Sequence, residues 1–248
     1  MRGDKSMEAQ LDVILSPTEA FPPCDIWLVV DVLRATTTMT IFFECGGKKI
    51  LPVESVEEGL ALKRSLGSGW LLMGERKGLP PQGFDLGNSP LEVANACVSR
   101  YEGAIMTTTN GTRALLAAAS TGAPVLIASA RNALAAVDAA LSLGSFIGII
   151  CAGRLGRASL DDSACAGALV DIALEKEPKA LLSDGARIVH SVWCNYGRNM
   201  EEALKDASHA RFLLELGFGD DIRLACQLGA SASVPKLAFV NERWTVLP

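Results

Sequence analysis

The sequence predicts an α/β fold: a mostly parallel sheet or pair of sheets, covered by helices on both faces in a three-layer α/β/α arrangement. Short apolar runs stop at polar residues, and segments of helical character follow them, which is how strand–loop–helix units look in a sequence. Several such units follow one another, and that alternation implies strands running mostly parallel. The chain has 248 residues, 49% hydrophobic and 21% charged, enough to bury such a core without disulfide or metal staples.

The first apolar run, Ile26–Val30, ends at Asp31, and Arg34-Ala35-Thr36-Thr37-Thr38 opens a helix after it. Residues 56–65 have helical character, and residues 70–73 form a strand running into Gly74-Glu75-Arg76. Leu79-Pro80-Pro81-Gln82-Gly83 is a stiff, exposed loop. The turn that follows, ending in Asn88-Ser89-Pro90, prepares a helix with Asn88 or Ser89 as cap and Pro90 at its first position. A strand at 104–106 runs into Thr107-Thr108-Thr109-Asn110-Gly111-Thr112 and a helix at 113–120. Val125–Ala128 runs into Ser129-Ala130-Arg131-Asn132 and a helix at Ala133–Leu143. A strand at 146–150 leads through Cys151-Ala152-Gly153-Arg154 to Asp161-Asp162 and a helix at 163–176, and a further helix is expected at 200–216. No linker separates domains, so residues 1–248 are expected to form one catalytic unit, with residues 1–9 flexible. The two Thr-rich helix openings keep a pair of related lobes as an alternative.

Composition removes whole classes of function. A net charge of −5 without a basic run excludes nucleic acid as a partner, and no stretch has the length and apolarity of a membrane span. Seven cysteines with no C-x-x-C pair indicate a reducing cytoplasm and no structural zinc. The phosphate-loop, dinucleotide, zincin and nucleophile-elbow motifs are all absent.

In open α/β sheets ligands bind beyond the carboxyl ends of the strands, where helix N-termini present free N–H groups. Those positions carry Asp31, Arg34, Glu75, Arg76, Thr107, Thr108, Thr109, Asn110, Thr112, Arg131, Asp161 and Asp162. Arginines, hydroxyls and helix ends suit an anion rich in oxygen. The acids repel such an anion unless a hard cation stands between, and Mg²⁺ is the usual choice beside phosphate. Each group also has a structural reading: Asp31 as a cap, residues 107–112 as a hydroxyl-capped turn, Asp161-Asp162 as an acidic first helical turn. Cys151 and Arg157 have the spacing of a Cys-x5-Arg phosphate loop, a match that seven cysteines make by chance. His190 and His209 fall in helical segments away from strand ends and read as structural or surface residues.

The segments Val29-Val30-Asp31-Val32-Leu33-Arg34-Ala35-Thr36-Thr37-Thr38, Gly74-Glu75-Arg76, Gly83-Phe84-Asp85-Leu86-Gly87-Asn88-Ser89-Pro90 and Thr107-Thr108-Thr109-Asn110-Gly111-Thr112 resemble, in order and spacing, those of the 2-phosphosulfolactate phosphatase (ComB-type) family. The similarity continues through Cys151-Ala152-Gly153 to Asp221-Ile222 and Val234-Pro235, nearly the whole chain. The resemblance implies a cytoplasmic, Mg²⁺-dependent phosphatase converting (2R)-2-phospho-3-sulfolactate to 3-sulfolactate and phosphate, a step towards coenzyme M in methanogens. The alternatives are a phosphatase of another small 2-phospho acid and a non-catalytic binder of organic phosphates or sulfonates.

On this reading Asp31, Arg34, Glu75, Arg76, Asp85 and Asn88 form the catalytic set. Thr36, Thr37, Thr107, Thr108, Thr109, Asn110, Thr112 and Arg131 bind substrate. Asp31, Glu75, Asp162 and Asp161 hold the metal. The family usually carries Leu-Glu-Asp where this chain has Leu160-Asp161-Asp162, so Asp161 ranks below Asp162. Arg76, Arg113 or Arg131 would meet the second anion of a small anionic organophosphate, and a homodimer is the assembly to test.

Overall fold

In the computed structural model, which describes residues 8–248, the apolar runs form strands because each is buried on both faces. The chain lays down β1 (Gln10–Ile14), β2 (Ile26–Val30), α1 (Ala35–Glu44), β3 (Ile50–Pro52), α2 (Val56–Leu66), β4 (Trp70–Gly74), α3 (Pro90–Asn95), β5 (Gly103–Thr107), α4 (Gly111–Ala119) and β6 (Val125–Ala128). It continues with α5 (Ala133–Leu143), β7 (Phe146–Cys151), α6 (Leu160–Lys176), β8 (Leu181–Leu182), α7 (Asp184–Asn195), α8 (Met200–Asp206), α9 (Ser208–Glu215), α10 (Gly219–Ala225), β9 (Lys236–Val240) and β10 (Arg243–Leu247). Of the segment expected to be flexible, residues 1–7 lie outside the described range.

The ten strands form one mixed sheet in the order β4-β5-β3-β10-β9-β6-β2-β7-β1-β8. Within it β4, β5 and β3 are parallel to one another, as are β6, β2, β7, β1 and β8. The antiparallel hairpin β9–β10 joins the two parallel runs, pairing Val125 with Leu237 on one side and Val246 with Ile50 on the other. Its two-residue turn places Asn241 at φ 50° and Glu242 at φ 61°, the left-handed pair that matches the twist of a tight hairpin.

Strand β2 shows how the layers form. Ile26, Leu28 and Val30 face one core with Ala133, Val137 and Leu169 of α5 and α6. Trp27 and Val29 face the opposite core with Met39 and Phe42 of α1 and Leu115 of α4. A smaller cluster packs Leu62 of α2 against Leu51, Leu72 and Ile105. The segment expected as one helix over 200–216 is two, because Ala207 (φ −68°, ψ 129°) is extended and serves as C-cap of α8 and N-cap of α9. That break turns α9 back towards α6, where its side chains reach the strand ends.

All seven cysteines are free thiols. No helix among the described residues is long and apolar enough to cross a membrane.

Candidate active site

Loops from both parallel runs converge on a cavity of about 540 Å³ whose wall includes Asp31, Arg34, Glu75, Arg76, Asn88, Thr109 and Asn110. Asp31 follows β2, and its backbone builds the start of α1: Thr36 N donates to Asp31 O at 2.9 Å, and Ala35 N donates to Asp31 Oδ1 at 3.2 Å. The capping reading of Asp31 is therefore true of Oδ1, while Oδ2 has no protein donor among the described residues. A Cβ at Gly111 would stand 2.6 Å from Asp31 Oδ2, so the glycine lets the first turn of α4 approach that oxygen. Burial pushes the Asp31 carboxyl up to about 6; Asp161 and Glu75 add to the rise, while His209 and the Ala35 N–H oppose it.

Glu75 accepts from Thr109 N at 2.7 Å through Oε1 and from Gly78 N at 2.9 Å through Oε2, which ties the β4 and β5 loops together. Arg76 donates to Glu75 O, Glu54 O and Thr107 Oγ1, so its guanidinium is anchored without a carboxylate partner. Arg34 differs: it meets Asp221 Oδ2 at 2.8 Å and Gly78 O at 2.7 Å and lies 4.2 Å over the Phe218 ring. Asn88 is 4% exposed, and its Oδ1 has no hydrogen-bond partner. An orphaned buried acceptor costs free energy, which a ligand donor or a cation would offset.

The acidic pair after β7 departs from expectation. Asp162 accepts from Val32 N (2.9 Å), Gly153 N (2.9 Å) and Ser159 Oγ (3.0 Å), so its carboxylate clamps two strand-end loops to α6. Asp161, ranked lower for its short reach, is the acid that raises the Asp31 carboxyl and meets His209 Nδ1 at 3.3 Å. Neither acid lines the cavity itself. His209 is likewise misplaced by the strand-end argument: from α9 it reaches the cavity wall. Nothing in its own segment signals this, since the contact with Asp161 spans 48 residues.

The hydroxyls divide. Thr36 and Thr37 bond back to Asp31 O and Val32 O, and both are fully buried. Thr108 and Thr112 cap each other across the turn, Thr112 N donating to Thr108 Oγ1 at 3.0 Å. Thr107 accepts from Arg76, and only Thr109 and Asn110 of this segment border the cavity. Asp85 and Arg131 do not line it either. Asp85 accepts from Leu72 N and Lys63 Nζ, fastening its loop to β4 and α2. Arg131 pairs with Glu44 at 2.8 Å. Ser89 caps α3, with Pro90 at its first position, as expected.

Cys151 is fully buried, and burial, with Asp162 next, pushes its thiol well above the ordinary value; Arg157 is exposed. The spacing is not a phosphate loop. Elsewhere, Asp171, His190 and Cys194 bring ligand atoms within 4.8 Å of one another, a group that could hold a metal ion. None of the three borders the cavity, and Asp171 is bound by Arg198 at 2.7 Å and Trp193 at 3.1 Å.

The raised Asp31 carboxyl has a consequence for stability. Below about pH 4 it is protonated in both folded and unfolded chains; from there to about 6 the unfolded chain loses its proton first. The metal-free protein is expected to lose stability over that window as pH rises, and Asp31→Asn to remove part of the loss. Thermal melts in EDTA check this; identical slopes for the two proteins would contradict it.

A model of the 2-phosphosulpholactate phosphatase family matches residues 15–239. A protein of Deinococcus radiodurans described as a probable 2-phosphosulfolactate phosphatase is 40% identical over 229 residues, 92% of this chain and 93% of its own. One of Thermus thermophilus with the same description is 41% identical over 235 residues, covering 93% and 94%. A third, from Clostridium acetobutylicum, is 34% identical over 209 residues, covering 84% and 88%.

Proposed function

We propose that this chain, which belongs to the 2-phosphosulpholactate phosphatase family, is a cytoplasmic, Mg²⁺-dependent phosphoric monoester hydrolase. Its substrate on this reading is (2R)-2-phospho-3-sulfolactate, cleaved by water to 3-sulfolactate and phosphate. The observation that carries the reading is one cavity in which Asp31, Glu75 and the unpartnered Asn88 Oδ1 stand beside Arg34 and Arg76.

The donor set fits a hard cation. Carboxylate and amide oxygens suit Mg²⁺, and burial keeps the Asp31 carboxyl raised although His209 and the Ala35 N–H pull it down, a rise that a bound cation would offset. Asp31, Glu75 and Asp161 are the residues that would hold the ion. When bound, it supplies charge neutralisation for the phosphoryl oxygens.

The chain's own groups do the rest. Arg76, fixed by two carbonyls and Thr107, presents an uncompensated guanidinium to a phosphoryl oxygen. Gly111 lets the first turn of α4 approach Asp31 Oδ2, so the positive end of that helix adds to the charge compensation there. Asp31 Oδ2 is the carboxylate oxygen of the wall without a protein donor among the described residues, the atom that would hold the cation or take the proton of the attacking water. Phosphoryl transfer asks for little beyond such positioning and charge compensation.

Release of phosphate from 2-phospho-3-sulfolactate, with and without Mg²⁺, tests the proposal. EDTA is expected to abolish turnover and Mg²⁺ to restore it, with Mn²⁺ as a substitute. Full activity in excess chelator, with no metal retained on the protein, would remove the cation from the mechanism. Tight binding of the substrate without any release of phosphate would make the chain a binding protein instead.

A further inference from the structure

We propose that Arg154 reads the second anion of the substrate, the sulfonate one carbon away from the phosphorylated centre; this inference rests on the phosphatase reading above. The arginines that the sequence nominates for this role are otherwise engaged or placed elsewhere. Arg131 is paired with Glu44 outside the cavity. Arg113 lines a neighbouring hollow that shares only Thr109 and Asn110 with it. Arg76 is held by Glu75 O, Glu54 O and Thr107 Oγ1, and the charge of Arg34 is compensated by the buried Asp221.

Arg154 also borders the cavity, and among the described residues its guanidinium has no acid partner and no hydrogen-bond acceptor. Its position is built into the backbone. Gly153 has φ 64°, and a Cβ there would fall 2.3 Å from Arg157 O, so no other residue fits without moving the chain. Leu155 (φ 53°) and Gly156 (φ 75°) close a tight turn, pinned by Arg154 N to Arg157 O at 2.8 Å and by Arg157 N to Arg154 O at 3.1 Å. Gly153 N also donates to Asp162 Oδ2 at 2.9 Å, which fastens this loop to α6.

The side chain then lies over Phe212 of α9, its Cζ 5.1 Å from the ring centroid. A guanidinium held over an aromatic face is positioned without using its N–H groups, which stay free for an oxyanion. Burial orders the two ends of the cavity. Asp31 and Asn88 are 6% and 4% exposed, whereas Arg154 is half-buried beside Leu155, which is 77% exposed. The substrate carboxylate is attached to the phosphorylated carbon itself and stays with the phosphoryl group near the floor. The sulfonate, carried on the next carbon, is the group that extends to the rim. Lys77 also borders the cavity, but it is exposed and nothing orients it, so it adds charge rather than geometry.

The experiment compares 2-phospho-3-sulfolactate with 2-phospholactate, which keeps the phosphate and carboxylate and replaces the sulfonate-bearing carbon by a methyl group. Wild type is expected to prefer the sulfonated substrate, and Arg154→Met to cut that preference in kcat/KM roughly 30-fold, mainly through KM, the scale of a lost charge-assisted pair. Arg154→Lys keeps the charge without the fork and should fall between them. Calorimetry with 3-sulfolactate alone supplies a second readout, its Kd rising by a similar factor in Arg154→Met. An unchanged preference and an unchanged Kd would overturn the assignment. Failure of wild type to release phosphate from either substrate would instead fell the phosphatase reading, and the calorimetric arm would then decide on Arg154 alone.

Discussion

Asp31→Asn is expected to lower kcat at least ~10²-fold while the protein stays folded, on the scale of a lost key electrostatic group. Asparagine keeps the Oδ1 that accepts from Ala35 N, so the start of α1 survives. What disappears is the charge at Oδ2, the oxygen that faces the first turn of α4 without a protein donor. Because burial raises the Asp31 carboxyl, a neutral replacement should also make the metal-free protein more stable at neutral pH, not less. Loss of activity without loss of stability distinguishes a working residue from a structural one. The control is Cys151→Ser. That thiol is fully buried and pushed far from ionisation, so it supplies no nucleophile, and the variant should keep most of its activity. Measuring kcat for both, with a melt for each, settles the choice. An active Asp31→Asn beside a dead Cys151→Ser would reverse the assignment.

The parts of the fold that were legible in the sequence are those in which local chemistry and burial agree. β2 and β6 match their apolar runs residue for residue, because a strand covered on both faces has no polar position to blur its ends. β3 and β8, with three and two residues, are too short to stand out. The β9–β10 hairpin is half-exposed, and it enters the sheet between two parallel runs, a placement no local pattern encodes. The site divides in the same way. Asp31, Glu75, Thr109 and Asn110, which border the cavity, stand out in the sequence because strand ends are marked there. His209, Asp221 and Arg154 were given no role because none is marked by its own segment: His209 meets Asp161 across 48 residues, and Asp221 meets Arg34 across 187. Asp162 shows the converse, since an acid at a strand-end loop can also accept from backbone donors that only the folded chain supplies.

Asp221→Ala should be among the most destabilising single changes in the molecule, at about 3–5 kcal/mol, because it strands a buried guanidinium. The side chains of Arg34 and Asp221 are 2% and 1% exposed, and their contact is 2.8 Å. Asp221 Oδ1 also accepts from Ser89 Oγ at 2.6 Å and from Leu91 N at 3.3 Å, so the same carboxylate joins α10 to the cap of α3. Removing it leaves Arg34 with Gly78 O and the Phe218 face, neither of which compensates a full charge. Two consequences separate this explanation from a simple loss of packing. The double variant Arg34→Met with Asp221→Ala should be more stable than Asp221→Ala alone, since no charge remains to be stranded. Phosphate should also stabilise Asp221→Ala more than it stabilises wild type, because Arg34 borders the cavity and an anion there can replace the missing partner. Urea denaturation of the three proteins, with and without phosphate, measures both effects. A loss below ~1 kcal/mol for Asp221→Ala, the size of an ordinary exposed ion pair, would mean that water reaches Arg34 and that the pair is not the buried anchor its geometry describes.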